Sequence, residues 1–348
     1  MFNNLLSPAR LKIFFITFAS TFVVVCLQYL VSAIPGFISP VSPHTVDAFD
    51  SLVPLLREKP RTFSLKKQPT FIKSAVAATA AEDANAYAVI DLDTGSILAS
   101  KNSSSEIPIA SITKVMTAVV ALDLAESSEY FTVTPNAARQ IPTKIGVVPG
   151  QEYQLRELID AILLTSANDA AQVIADGIDE KYGGEVFIRA MNKKARILGM
   201  EKTHFQNAQG FDASNHFSSA EDIAILTQYA LTNYPLIAES VKKDYAFLPE
   251  DNNHNQHDLY NWNGLIGVYP GTYGVKIGNT EAAKKTTVVA ANRDGKNLLV
   301  VLLGAPGLLE RDLWSSELLN TGFAKFGIKP YEVTEEALRE KYATWESR

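Results

Sequence analysis

Cysteine is almost missing from this chain: Cys26 is the only one in 348 residues, and it sits inside an apolar run. Neither a disulfide framework nor a cysteine metal centre is therefore available. Excess positive charge is missing too. Lys and Arg number 32 against 38 Asp and Glu, for a net charge of −6, which argues against nucleic acid as a partner. No internal repeat stands out. His254 and His257 lie in the Asn- and His-rich stretch 251–263, but two histidines in a polar loop read as solvated, so neither a metal nor a cofactor is expected. Hydrophobic residues make up 47% and charged residues 20%, the composition of a folded protein with ample core.

Long uncharged stretches are scarce except near the start. Residues 13–33 carry no charge, and Gln28 is their most polar member; such a run is long enough to span a bilayer. Arg10 and Lys12 precede it and the next basic residue is Arg57, which points the N-terminus into the cytoplasm and the body outside. The rival reading is a cleaved signal peptide, with Val31-Ser-Ala33 as the cleavage site, although the run exceeds a usual signal core. The chain then divides into a cytoplasmic start (1–12), an anchor (13–33), a proline-rich stalk or linker (34–79), one domain (80–329) and a short tail (330–348).

Within the domain, residues 86–91 and 96–101 read as strands joined by a turn ending at Gly95. Helical spacing dominates for about a hundred residues after position 114, including Leu155, Leu158, Ile159 and Ile162. Ser219 and Asp222 have the spacing of a helix start. Strands return at 273–278, 286–292 and 297–304, the last two joined by Arg293-Asp-Gly-Lys296, a hairpin signal. Strands at both ends with helices between give an α+β fold class. One antiparallel sheet is built from both chain ends, with a helical subdomain inserted.

Chemistry concentrates at Ser111. Three S-x-x-K matches occur, at Ser64–Lys67, Ser111–Lys114 and Ser240–Lys243, so the pattern alone carries little. Only Ser111 opens an apolar helix, residues 115–124, that is hydrophobic nearly all the way round and hence buried. At i and i+3 on a helix, hydroxyl and amine share a face. Serine needs a neighbour to take its proton. Lysine can do so only with a pKa lowered by burial or nearby positive charge. Two further motifs follow in order: Ser166-Ala-Asn168 between two helices, and Lys276-Ile277-Gly278 at a strand end. Together the three correspond to the S-x-x-K, S-x-N and K-T-G signature of penicillin-binding proteins and β-lactamases. Ser100-Lys-Asn102 also fits S-x-N but precedes the nucleophile.

The surrounding text resembles the D-alanyl-D-alanine carboxypeptidase family of low-molecular-mass penicillin-binding proteins, with the β-lactamase/transpeptidase-like fold. The similar segments are IASITKVMT (109–117), LLTSANDAA (163–171), Met191-Asn192 with Leu198-Gly199, THFQNAQGF (203–211), Tyr269-Pro-Gly271 and Gly274-Val-Lys276. Arg311, followed by Leu318-Leu319 and Gly322-Phe323, resembles the helix closing the family's catalytic domain. The resemblance implies Ser111 as acylated nucleophile and Lys114 as its base. It implies Ser166 as proton relay to the leaving amine and Asn168 as holder of the substrate amide. Lys276 would supply positive charge, and the N–H groups of Ser111 and Asn279 an oxyanion hole. Arg311 would help hold the terminal carboxylate. The implied substrate is a peptidoglycan stem peptide ending in D-Ala-D-Ala, with β-lactams as covalent inhibitors.

Two departures matter. Ile277 replaces the threonine of K-T-G and removes a hydroxyl. After Phe323 too little chain follows for the β-rich second domain of several relatives, and residues 334–348 are acidic where a membrane-binding helix of relatives is basic; the N-terminal segment is therefore the expected anchor. Three functions compete: a membrane-anchored carboxypeptidase, a non-catalytic or weakly active peptidoglycan-binding protein favoured by Ile277, and a β-lactamase. The last lacks the deacylating E-x-x-L-N stretch, since Glu317-Leu-Leu-Asn320 has the wrong spacing and position.

Overall fold

The computed structural model describes residues 49, 52–56, 64–66 and 80–346. The proposed anchor at 13–33, with Cys26, lies outside them. Five strands form one antiparallel sheet in the order β2-β1-β9-β8-β7. These are β1 (Ala86–Asp91), β2 (Ile97–Lys101), β7 (Thr272–Thr280), β8 (Lys284–Arg293) and β9 (Lys296–Ala305). Both chain ends thus build the sheet, as the strand–helix–strand pattern predicts. The β8–β9 turn has positive φ at Asp294 and Gly295, which is what a two-residue hairpin requires.

The central strands are covered on both faces, so they read as continuous apolar runs. Leu299, Val301 and Leu303 of β9 enter one core with Ala86, Ala88 and Ile90 of β1. The alternate residues Leu298, Val300 and Leu302 enter a second core with Tyr87 and Val89. The first core is the helical side. It holds α1 (Lys114–Leu124), α3 (Leu155–Leu163), α4 (Asn168–Tyr182), α5 (Phe187–Leu198) and α6 (Ala220–Asn233). The second is closed by α8 (Leu308–Ala324), through Trp314, Leu318, Leu319 and Phe323. Ser219 caps α6, its Oγ accepting from the Asp222 N–H at 3.1 Å.

The short pieces were not readable from periodicity. The helical stretch contains a three-residue ribbon, β3 (Tyr130–Thr132) paired with β4 (Glu152–Gln154), and the four-residue helix α2 (Pro135–Ala138). After α7 (Pro235–Ser240) comes a second ribbon, β5 (Tyr245–Leu248) with β6 (His257–Tyr260). His254 and His257 are buried, not solvated. His254 stacks on Tyr153 at 4.3 Å between ring centroids, and His257 Nε2 lies 2.7 Å from the Tyr153 hydroxyl. The stalk reading of 34–79 also needs correction where the chain is described. Phe49, Leu52 and Leu56 recur at helical spacing and are buried in the first core, so this lead-in is partly docked. Beyond residue 329, α9 (Glu335–Glu346) packs against the domain, with Leu338 fully buried in the second core; the tail is part of the folded unit.

Candidate active site

Ser111 lies on a 3-10 turn, Ala110–Thr113, that runs straight into α1. Every residue of α1 but Leu122 is buried, so the helix anchors the turn from within the core. Ala110 takes a left-handed φ of 49°, a conformation that needs external support. Thr113 Oγ1 supplies part of it by donating to the Ala110 carbonyl at 2.8 Å. The same hydroxyl lies 2.8 Å from His216 Nε2. Nδ1 of His216 accepts from the Gln206 N–H, so Nε2 bears the ring proton and donates to Thr113. Burial, then the neighbouring His204, hold His216 down at about 4, and the ring is neutral at pH 7.

Two glycines press on this turn. A Cβ on Gly210, where φ is +91°, would stand 2.0 Å from the Ala110 carbonyl oxygen. A Cβ on Gly278 would meet Thr286 Oγ1 at 2.5 Å and the Ser111 nitrogen at 3.0 Å. The K-x-G strand therefore lies directly against the backbone of Ser111. It does not end at Gly278, as its sequence suggests, but continues to Thr280 as the edge of the sheet. An edge strand keeps backbone groups on its outer side out of the ladder, and β7 is such an edge beside Ser111.

Lys114 is completely buried. Its Nζ lies 3.0 Å from Ser111 Oγ, 2.8 Å from Asn168 Oδ1 and 2.7 Å from the Gln209 carbonyl oxygen. Burial, followed by the charge of Lys276, drives its pKa well below the usual lysine range, against a smaller opposing pull from Asp169. A neutral amine has two N–H donors and one lone pair. The amide oxygen and the carbonyl can only accept, so they take the two N–H groups. The lone pair is left for Ser111, the only one of the three with a proton to give. Asn168 is fixed in this orientation because its Nδ2 donates to the Ile141 carbonyl at 3.0 Å.

Ser166 has φ of 63° at the bend between α3 and α4, and lines the same cleft as Ser111 and Asn168. The facing loop is tied to this bend. Thr143 Oγ1 donates to the Ser166 carbonyl, and the Asn168 N–H donates to that of Thr143. Asp169 accepts from the N–H groups of Ile145, Gly146 and Val147. Lys276 is buried beneath the strand with Nζ 3.0 Å from the Ile277 carbonyl. Burial and then Arg311 lower it to about 7.

The cleft encloses about 850 Å³. Of the sequence-derived residues, Ser111, Ser166, Asn168, Ile277, Asn279 and Arg311 line it; Lys114, Lys276 and Gly278 stand behind that lining. Arg311 is largely committed: Nε and Nη2 each lie 2.7 Å from an Asp312 carboxylate oxygen, and Nη2 reaches the Trp262 carbonyl at 3.2 Å. Among the described residues only Nη1 has no hydrogen-bond partner. The other S-x-x-K pair in the described domain is not a site, because Lys243 is bound to Asp160 at 2.7 Å. Sequence reasoning missed the Gln209 carbonyl, which no side-chain motif marks. It also missed Trp262, Tyr342 and Trp345, which reach the cleft by tertiary docking alone.

Known proteins resemble this chain in sequence and in fold. The family model described as D-alanyl-D-alanine carboxypeptidase, peptidase family S11, matches residues 73–307. The D-alanyl-D-alanine carboxypeptidase DacF of Bacillus subtilis is 32% identical over 255 residues, covering 72% of this chain and 64% of that protein. DacB2 of Mycobacterium tuberculosis is 34% identical, covering 63% of this chain and 74% of that one. The chain thus spans under two thirds of the length of DacF. Among solved structures, the Streptomyces K15 DD-transpeptidase superposes with a TM-score of 0.64 at 26% identity, over 69% of this chain and 97% of that one. A D-alanyl-D-alanine carboxypeptidase from Mycobacterium tuberculosis superposes with a TM-score of 0.62 at 32% identity, over 72% and 94%. The fold is that of the penicillin-binding proteins, and the chain belongs to the D-alanyl-D-alanine carboxypeptidase family.

Proposed function

We propose that this protein is a serine D-alanyl-D-alanine carboxypeptidase that removes the terminal D-Ala from peptidoglycan stem peptides through an acyl-enzyme on Ser111. The observation that carries the reading is the buried Lys114, which has Ser111 as its one proton-donating partner. In the reaction, Ser111 Oγ bonds to the scissile carbonyl carbon as its proton passes to Lys114 Nζ. The N–H groups of Ser111 and Asn279 receive the oxyanion, where each such donor contributes about 10²–10³-fold. The C–N bond then breaks, Ser166 relays a proton to the departing amine, and D-Ala leaves. Water attacks the ester and frees Ser111. Asn168 and the edge of β7 hold the peptide backbone, and Lys276 and Arg311 supply charge for its terminal carboxylate. A β-lactam follows the same path as far as the ester and stays as a covalent inhibitor.

A location on the outer side of a bacterial cell membrane, anchored by residues 13–33, belongs to the same proposal. It is supported by the uncharged run and by the basic residues that precede it. Among the described residues no helix is long and apolar enough to cross a membrane. N-terminal sequencing of the mature protein tests the anchor; a new terminus near Ile34 would show cleavage instead. Ile277, which lines the cleft without a hydroxyl, favours a second reading, a peptidoglycan-binding protein that is acylated but turns over little or no peptide. Product analysis on a D-Ala-D-Ala peptide decides between them. Release of one D-Ala per peptide by the native protein and none by Ser111→Ala supports the hydrolase. No release under any condition supports the binding protein.

A further inference from the structure

Helix α9 reaches the cleft from outside the three motifs. It is docked by Leu338 in the second core and by Lys341, whose Nζ lies 2.5 Å from Asp244 Oδ1. The Tyr342 hydroxyl donates to Asp312 Oδ2 at 2.8 Å. Burial and the Asp312 carboxylate push this phenol above the usual tyrosine range, so it remains a donor. Trp345 stacks on Tyr342 at 5.0 Å and lies 5.4 Å from Trp262, ring centroid to centroid. All three aromatic rings line the cleft, on the same wall as Leu308 and Arg311. Gly264 gives the room: a Cβ there would stand 2.2 Å from Asp312 Oδ2 and 2.7 Å from the Tyr342 ring. The Trp262 indole N–H is buried without an acceptor among the described residues.

Asp312 is the link. Its carboxylate already pairs with Arg311, which weakens the hold of the guanidinium on any second anion. A donor on Asp312 draws charge away from that pair and fixes its plane, and charge-assisted bonds of this kind are the stronger ones. Arg311, which lines the cleft, is thereby left with its charge less quenched. The aromatic wall beside it is uncharged and suits a small apolar residue.

We propose that α9 is a part of the binding site: Tyr342, through Asp312, positions Arg311 for the terminal carboxylate, and Trp345 with Trp262 forms an aromatic wall against the leaving residue. This rests on the peptidase reading for the identity of that residue. Tyr342 is a positioning residue and Trp345 a contact residue, and their signatures differ. The test is titration calorimetry on full-length Ser111→Ala, with a peptide ending in D-Ala-D-Ala as the free acid and as the C-terminal amide. The Ser111→Ala protein is expected to prefer the acid by roughly tenfold or more, as a hydrogen bond to a charged group implies. Adding Tyr342→Phe should cut that preference at least about fivefold. Adding Trp345→Ala should instead weaken acid and amide alike, by about fourfold for the loss of one buried methyl contact. A preference that stays within about twofold in Tyr342→Phe, or affinities untouched in Trp345→Ala, overturns the proposal. Binding of neither peptide by Ser111→Ala counts against this proposal and the peptidase reading together. D-Ala release by the native protein with unaltered ratios counts against this proposal alone.

Discussion

Ile277 is the residue at which the site departs from its own family's motif. It keeps the β-branched shape that suits β7 but donates no hydrogen bond into the cleft it lines. Backbone donors for the oxyanion do not depend on this side chain, so a slowed enzyme is expected, not a dead one. Ile277→Thr should raise kcat/KM on D-Ala-D-Ala peptides by roughly 10- to 150-fold, the value of about 1.5–3 kcal/mol for a bond to a charged group. No change on steady-state assay would mean that the carboxylate is held elsewhere. Lys276 gives a second outcome, in pH. Its pKa falls from the usual lysine value to about 7, so it is charged below that pH and neutral above. In the proposed reaction, substrate capture uses the charged form and Lys114 acts as the neutral amine. The pH profile of kcat/KM, which reports the free enzyme, should therefore decline as pH climbs through about 7. Lys276→Arg keeps its charge at all these pH values and should move that limb alkaline. A decline at the same pH in Lys276→Arg would assign it to another group.

At the scale of elements, the proposed catalysis rests on how closely β7 and the loop at Gly210 approach the turn that opens α1. Gly278→Ala forces a Cβ to within 3.0 Å of the Ser111 nitrogen. The Ser111 N–H must shift, and a displacement on the order of 1 Å costs about 10²-fold in rate. Stopped-flow acylation by a fluorescent penicillin should show a loss of that order; a rate within about threefold of native would mean the turn yields freely. These approaches explain what was and was not readable in the sequence. Ser111, Lys114, Ser166 and Asn168, which the structure brings together, were readable because the proposed chemistry needs those side chains at fixed offsets on helix starts. Gln209 meets Lys114 through its carbonyl, which any residue type offers. Tyr342 and Trp345 sit on an acidic helix after the last motif, and no local pattern ties that helix to Arg311. The ribbons β3–β4 and β5–β6 have strands of three or four residues, too short for a period to show. The stripe Phe49, Leu52, Leu56 was hidden among prolines.

For the molecule as a whole, the helical side must hold α1 rigid within the first core. One buried ion pair contributes to this. Lys194 of α5 lies 2.8 Å from Asp123 near the end of α1, with both side chains fully buried. The Tyr234 hydroxyl donates to Asp123 at 2.7 Å, and Lys194 reaches the Tyr229 hydroxyl at 2.9 Å. Removing one partner leaves a charge in the core, so Lys194→Met should cost about 3–5 kcal/mol in denaturant unfolding. The double variant with Asp123→Leu should regain most of it. Equal losses in the single and double variants would show that the hydroxyls, not the charge, dominate.

The scales meet at Ser111, where α1, β7 and the S-x-N bend converge. The most direct measurement is intact mass after incubation with penicillin. The native chain should gain the mass of one drug molecule, with the modified peptide containing Ser111. Ser111→Ala should gain none, and Lys114→Ala should acylate about 10²–10⁴-fold more slowly, the usual contribution of a positioned base. Labelling of Ser111→Ala to the native extent, or a native rate in Lys114→Ala, would contradict the assignment of nucleophile and base.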